Sequence, residues 1–238
     1  MNSDALYPTY SAVAEADPEV RAGFIRRTYG HLAVAILAFV LLEALLFQTA
    51  LPEAMVGVLA RSGYSWLIVL GAFMGVSYLA DRWAQSETSV NTQYAGLALY
   101  VVAEAIIFIP LLYVAANVAG PEVIGAAGLM TLLLFAGLTY TVFTTRKDFS
   151  FLGGFLKISF FVALGVIVAS ILFGFNLGVI FAGLMVIVAS AAILYNTSNI
   201  LYRYNPNQHV AAALSLFASI ALLFWYILRI FMGGSRRD

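Results

Sequence analysis

The sequence predicts an all-α, polytopic membrane protein with seven transmembrane helices in one domain. Three observations predict it. Of 238 residues, 63% are hydrophobic and only 10% charged, where soluble domains run at roughly 45–50% apolar and about 25% charged. Mean hydropathy is +0.95, and one water-soluble core cannot enclose that much apolar surface. Apolar stretches of membrane-spanning length also recur along the whole chain, divided by short polar or Gly/Pro-containing breaks.

The chain begins with 22 polar, mildly acidic residues that include Asp4, Glu15, Asp17 and Glu19, with Pro8 and Pro18. A signal peptide would begin basic, so a cleavable one is not expected. Residues 17–27, "DPEVRAGFIRR", suit a short interfacial helix. Asp17 can cap it, Pro18 fits its first position, and its arginines can meet anionic headgroups. Residues 1–27 are therefore expected to be a cytoplasmic N-terminal segment, 28–232 the membrane domain and 233–238 a short tail. Residues 1–16 have few apolar side chains and are expected to bury nothing.

A crossing takes roughly 20 apolar residues. The first span is read over about 28–50, stopped before Pro52, and the second over about 64–81, after the Arg61–Gly63 break. The polar stretch 81–93 precedes the third span, about 93–116, and Gly120–Pro121 precedes the fourth, about 123–143. Arg146–Asp148 separates it from the fifth, about 153–173. The uncharged "FGFNLG" is the weakest break; without it two spans merge into an improbable one of about 50 residues, so a sixth is read over about 177–201. The "YNPNQ" turn leads to the seventh, about 209–232. Basic residues set the orientation. Arg21, Arg26, Arg27, Arg82, Arg146, Lys147 and Arg203 would share one side, against Arg61, Arg236 and Arg237 on the other. The N-terminus is expected in the cytoplasm and the C-terminus outside. Lys157 and Arg229, close to helix ends, can snorkel.

Composition removes several functions. A formal net charge of zero offers no argument for nucleic acid. With no cysteine, disulfides, thiol catalysis and thiolate metal sites are excluded. An intramembrane zinc hydrolase needs about three ligands; the two histidines, His31 and His209, are far apart in sequence and each begins a span. The last span has no lysine for a Schiff base, and no GxSxG, HExxH or P-loop occurs. Neither an enzyme nor a cofactor is expected.

What remains is the small set of polar groups inside the bilayer, where an ionisable residue is expensive. Glu104 is the deepest, near the middle of the third span, and is expected either to be held by a hydrogen bond to a neighbouring helix or to serve function. Pro110 follows it. Glu43 lies in the outer quarter of the first span. Asp81 and Arg82 close the second span and read as a solvated end. In the sixth span Ala189, Ala192, Asn196, Asn199 and Arg203 form one stripe at steps of three and four. The seventh presents Ala211, Ser215, Ala218, Ser219 and Leu222. Small and hydroxyl-bearing faces let membrane helices approach and bond across the contact, so a polar seam is expected between these spans, either as glue or as the inner mouth of a permeation path.

The runs "RRTYGHLAVAIL" at the start of the first span, "TTRKDFSFLGG" at 144–154, "AAILYNTSNIL" at 191–201 and "AAALSLFASIALLFWYILRIF" at 211–231 resemble the Bax inhibitor-1 family, nearest its bacterial YccA-like branch. The resemblance implies six helices around a central seventh and a bacterial inner-membrane location. It also implies one of two roles: a pH-sensitive leak for calcium or another cation, or a modulator or substrate of the membrane-anchored protease FtsH. In the protease reading the soluble N-terminal 22 residues are the part expected to be presented to the partner. Leak members carry a pair of acids, one on the sixth span and one on the seventh. The matching positions here are Asn196 and Ser219, so the seam keeps its shape and lacks the titratable pair. The reading is a non-enzymatic membrane protein: a weak cation leak without its acid gate or, alternatively, a non-conducting protease partner.

Overall fold

Pro18 opens the first helix, with Asp17 at the N-cap position although its side chain makes no capping hydrogen bond. From there the computed structural model, which describes residues 12–86 and 89–234, is helical. Its helices are α1 (Pro18–Leu46), α2 (Leu51–Leu59), α3 (Gly63–Ala84), α4 (Val90–Val118), α5 (Glu122–Thr145), α6 (Leu152–Phe173), α7 (Gly178–Tyr202) and α8 (His209–Gly234). No strand occurs among the described residues. Seven helices are long and apolar enough to cross a membrane; α2, with 9 residues, is the exception.

The expected spans correspond to these seven, with two differences at the beginning. The interfacial helix expected over 17–27 runs without a break into the first span, because nothing between Pro18 and Leu46 interrupts the backbone ladder. The end comes earlier than expected. Thr49 Oγ1 donates to the Leu46 carbonyl at 2.6 Å and accepts from the Leu51 amide at 3.2 Å, so one side chain stops α1 and starts α2. Other ends follow ordinary capping. Ser62 accepts from the Tyr64 amide and Ser89 from the Thr92 amide. The weak break is real: Gly174 and Gly178 have φ of 73° and 62°, a region glycine enters without strain. Pro110 sits inside α4 without ending it.

The expectation that residues 1–16 bury nothing is corrected by Val13. It is fully buried in a short 3-10 turn, Val13–Glu15, and its amide donates to the Tyr204 carbonyl at 2.8 Å. That amide would otherwise lie unpaired against the bundle. Residues 1–11 and 235–238, which include Asp4, Pro8, Arg236 and Arg237, lie outside the described residues.

α8 is the central helix. Every residue from Val210 to Leu214 is buried, so this stretch has no outward face. It packs against α7, α1, α5, α4 and α3. α4 is nearly as enclosed, and the two interlock through Phe108, whose ring stacks on Phe224 at 5.6 Å and meets Trp225 edge-on at 5.0 Å. α6 is peripheral: it packs chiefly on α7 and α3, and Ala163 is its one buried residue.

α3 and α4 approach each other closely at Gly96. A Cβ on Gly96 would lie 2.5 Å from the Ala80 carbonyl oxygen and 2.5 Å from the Ala84 amide nitrogen. Both are backbone atoms and cannot swing aside, so only glycine lets the helices meet there. Gly71 on α3 has nothing within 4 Å of the same position. Gly96→Ala is expected to lower the unfolding temperature of the purified protein in detergent by several degrees. Gly71→Ala should leave it unchanged or slightly raised, since alanine is the better helix former.

Candidate functional site

Two faces of small side chains bring α7 and α8 together, and one amide bonds them. Asn196 Nδ2 donates to the Ser215 carbonyl at 3.1 Å and to Ser219 Oγ at 2.8 Å. Ser219 Oγ in turn donates to the Ser215 carbonyl at 2.9 Å. The Ser215 hydroxyl gives its proton to the Ala211 carbonyl, so Tyr204 donates to Ser215 Oγ at 3.0 Å. Burial pushes the Tyr204 hydroxyl pKa up, which keeps that proton in place. The seam is thus a continuous, uncharged hydrogen-bonded line.

Of the residues expected to share the site, Asn196, Ser215 and Ser219 come together. Asn199 is buried but belongs to the line only by sequence. Its carbonyl accepts from the amides of Arg203 and Tyr204, while its side-chain oxygen has no partner. Arg203 turns out of the seam towards the loop after α5. Glu104 is buried in α4, and its carboxyl bonds Tyr100 one turn earlier on the same helix rather than a neighbouring helix. Asp81 is half-buried and accepts from Gln85 Nε2 at 2.7 Å. It lies within electrostatic range of both Tyr100 and Tyr204. Arg82 is exposed. Glu43, in the outer quarter of the first span, is buried with both carboxyl oxygens unpartnered.

Two further clusters escaped the sequence reading. The first clasps the loop 146–151 onto the end of α7. Ser198 Oγ accepts from the Phe149 amide at 2.9 Å and donates to Asp148 Oδ1 at 3.2 Å. The Ser150 amide donates to the same oxygen at 2.8 Å, and Tyr202 donates to the Arg146 carbonyl. Arg203 Nη2 donates to Ser150 Oγ at 2.8 Å and lies 3.7 Å from Asp148 Oδ2. Arg146 takes the left-handed conformation at φ 51° to end α5. The Ser150 amide, helped by the Ser150 and Ser198 hydroxyls and by Arg203, holds the Asp148 carboxyl below the usual aspartate range. The Asp-x-Ser spacing, which favours an Asx turn, was the available signal.

The second cluster joins the two histidines, whose rings lie 5.0 Å apart, His31 within α1 and His209 at the start of α8. His31 Nδ1 faces the Arg27 carbonyl at 2.6 Å and must donate to it, so in the neutral ring Nε2 accepts from the Tyr94 hydroxyl at 3.1 Å. The sequence signal was that both histidines begin spans at the same end of the bundle. Among the described residues no three His, Cys, Asp or Glu side chains gather as metal ligands.

Two tests follow from this geometry. Asp148→Asn keeps the acceptor oxygen and removes the charge. Because the folded pKa lies below the ordinary 3.8, the charge stabilises above that value, and its contribution is lost as pH falls through the folded value. The variant should melt slightly below the native protein at about pH 7, with the difference closing in strong acid. Conversely, Asn196→Asp with Ser219→Asp places two carboxyls across the seam, where both cannot ionise cheaply. The folded pKa of the pair rises, so stability is full below about pH 4 and falls as pH climbs. A melting series over pH that stays flat for the double variant would refute this reading of the seam.

The sequence profile of the family described as inhibitor of apoptosis-promoting Bax1 matches residues 21–237. The chain is 36% identical to the uncharacterized protein PA2604 of Pseudomonas aeruginosa, covering 94% of this chain and 95% of that one. It is 30% identical to protein LIFEGUARD 4 of Arabidopsis thaliana, over 95% and 90%. It is 29% identical to the modulator of FtsH protease YccA of Escherichia coli, over 84% and 89%.

Proposed function

The chain belongs to the Bax1-I family of inhibitors of apoptosis-promoting Bax1, and from that premise we propose that it is a non-enzymatic, multi-pass inner-membrane protein that modulates a membrane-anchored protease of the FtsH type. The observation that carries the non-conducting part is the seam itself. Asn196 spends its amide protons on Ser215 and Ser219, so the place where a leak would run is an uncharged contact between helices. The protease part is supported by the Escherichia coli relative, which is named as a modulator of FtsH protease. The basic residues at the ends of α1, α3, α5 and α7 support a cytoplasmic N-terminus. Residues 1–11 precede the docked Val13 and are the natural handle for a cytoplasmic partner.

A weak calcium leak along the seam is the second reading. The buried Glu104 and the half-buried Asp81 favour it, because both lie within electrostatic range of Tyr100 and an acid within a span is a functional candidate.

The two readings separate in one pair of measurements. The full chain in liposomes loaded with a calcium dye should give no entry above empty liposomes, between about pH 5 and 8. The same chain, expressed with an FtsH-type protease and solubilised gently, should co-purify with it, and deletion of residues 1–11 should weaken that capture. Calcium entry through the native protein would overturn the non-conducting reading in favour of the leak. Absence of capture would overturn the protease role.

A further inference from the structure

The bilayer-facing side of the α1–α4 contact holds a groove of about 650 Å³. Its floor is small, formed by Ala35 and Ala38 of α1 and Ala98 of α4, and its rim is raised by Leu41, Leu45 and Val102. From His31 to Leu45 it follows α1 for about 21 Å at 1.5 Å per residue. One leaflet supplies about 15 Å of hydrocarbon, so the groove has room for a whole acyl chain. It is polar at one end only, where His31 and Tyr94 face each other at 3.1 Å.

A cation continues the line past that end. Arg27 lies one helical turn before His31 on the same stripe of α1, which runs on through Ala35, Ala38, Leu42 and Leu45 at steps of three and four. Its guanidinium is exposed, with one long contact, Nε to the Gly23 carbonyl at 3.4 Å. The single ion pair between described residues is Arg203 with Asp148, elsewhere on the bundle. Arg27 therefore keeps the guanidinium fork with which arginine grips phosphate.

We propose that this groove binds one anionic phospholipid, its acyl chain lying over Ala35, Ala38 and Ala98 and its phosphate held by Arg27 beside Tyr94. The sequence of surfaces matches such a molecule from end to end: apolar for the depth of a leaflet, then a hydroxyl and an imidazole, then a cation at headgroup level. A transmembrane helix of a partner would cross both leaflets and would not need the cation where the apolar wall stops. The site is independent of the protease reading and of the seam, since its lining belongs to α1 and α4 and includes no residue of α7 or α8.

The experiment reconstitutes the full chain in vesicles of equal phosphatidylglycerol and phosphatidylcholine, extracts it gently and measures retained lipid by native mass spectrometry. The native protein should keep one phospholipid per chain, with phosphatidylglycerol favoured about fivefold. Arg27→Gln should keep the lipid and lose the preference, whereas Arg26→Gln, off the stripe, should keep both. Ala98→Phe and Ala38→Phe fill the floor from either wall at exposed positions, so each should fold as the native protein does and lose the lipid. Equal retention of the two lipids by the native protein, or undiminished retention by both groove-filling variants, would overturn the proposal. So would a co-purifying membrane protein, in place of lipid, that those two variants release.

Discussion

A helix enclosed on every side must be narrow. That constraint governs α8, whose Val210–Leu214 stretch is buried all round and carries three successive alanines, Ala211, Ala212 and Ala213. In hydrocarbon there is no hydrophobic drive between helices, so close van der Waals contact and interhelical hydrogen bonds supply the association. Small side chains let α7, α1, α5, α4 and α3 approach one axis together. Towards the other end the same helix carries the larger Leu223, Phe224 and Trp225, which pack in one cluster with Phe108 of α4. The peripheral place of α6 follows, because the circumference of so thin a helix is already occupied.

Polar groups then fall into two kinds. Those on the seam are paired: the Asn196 amide, the Ser219 and Ser215 hydroxyls and the Tyr204 phenol satisfy one another in series. Such a line fixes the rotation of α7 against α8, since turning either helix would strand several donors at once. Others are buried without a partner, notably both oxygens of Glu43 and Nδ1 of His209. An unpaired carboxyl in an apolar setting is held most cheaply as the neutral acid. The seam is therefore rigid and uncharged, and the groups able to exchange protons lie on other contacts.

The loop clasp shows how two distant runs of sequence serve one purpose. "TTRKDFSFLGG" supplies Asp148 and Ser150, and "TSNILYR" supplies Ser198, Tyr202 and Arg203. Together they close the end of α7 over the turn between α5 and α6, satisfying backbone groups that would otherwise be exposed where helices end. Arg203, which the helical stripe assigns to the seam, is drawn into this clasp instead. A cation beside Asp148 at a solvated end costs far less than one inside the bundle.

Composition and hydrophobic periodicity by themselves determined the membrane class, the seven spans and most of their ends, because hydrocarbon tolerates few structures and punishes polar residues in the wrong place. The Asn196–Ser215–Ser219 contact was also legible. Its residues lie on two helices joined by a tight turn, so their stripes have little choice but to meet. What crosses between distant helices was decided only by the tertiary structure. The side on which Glu43 is buried, the pairing of His31 with His209 and the docking of Val13 depend on rotation and tilt. Those angles are set by packing against all neighbours at once, and an apolar helix with little asymmetry around its circumference, such as α1 or α4, carries almost no local signal of which way it must face.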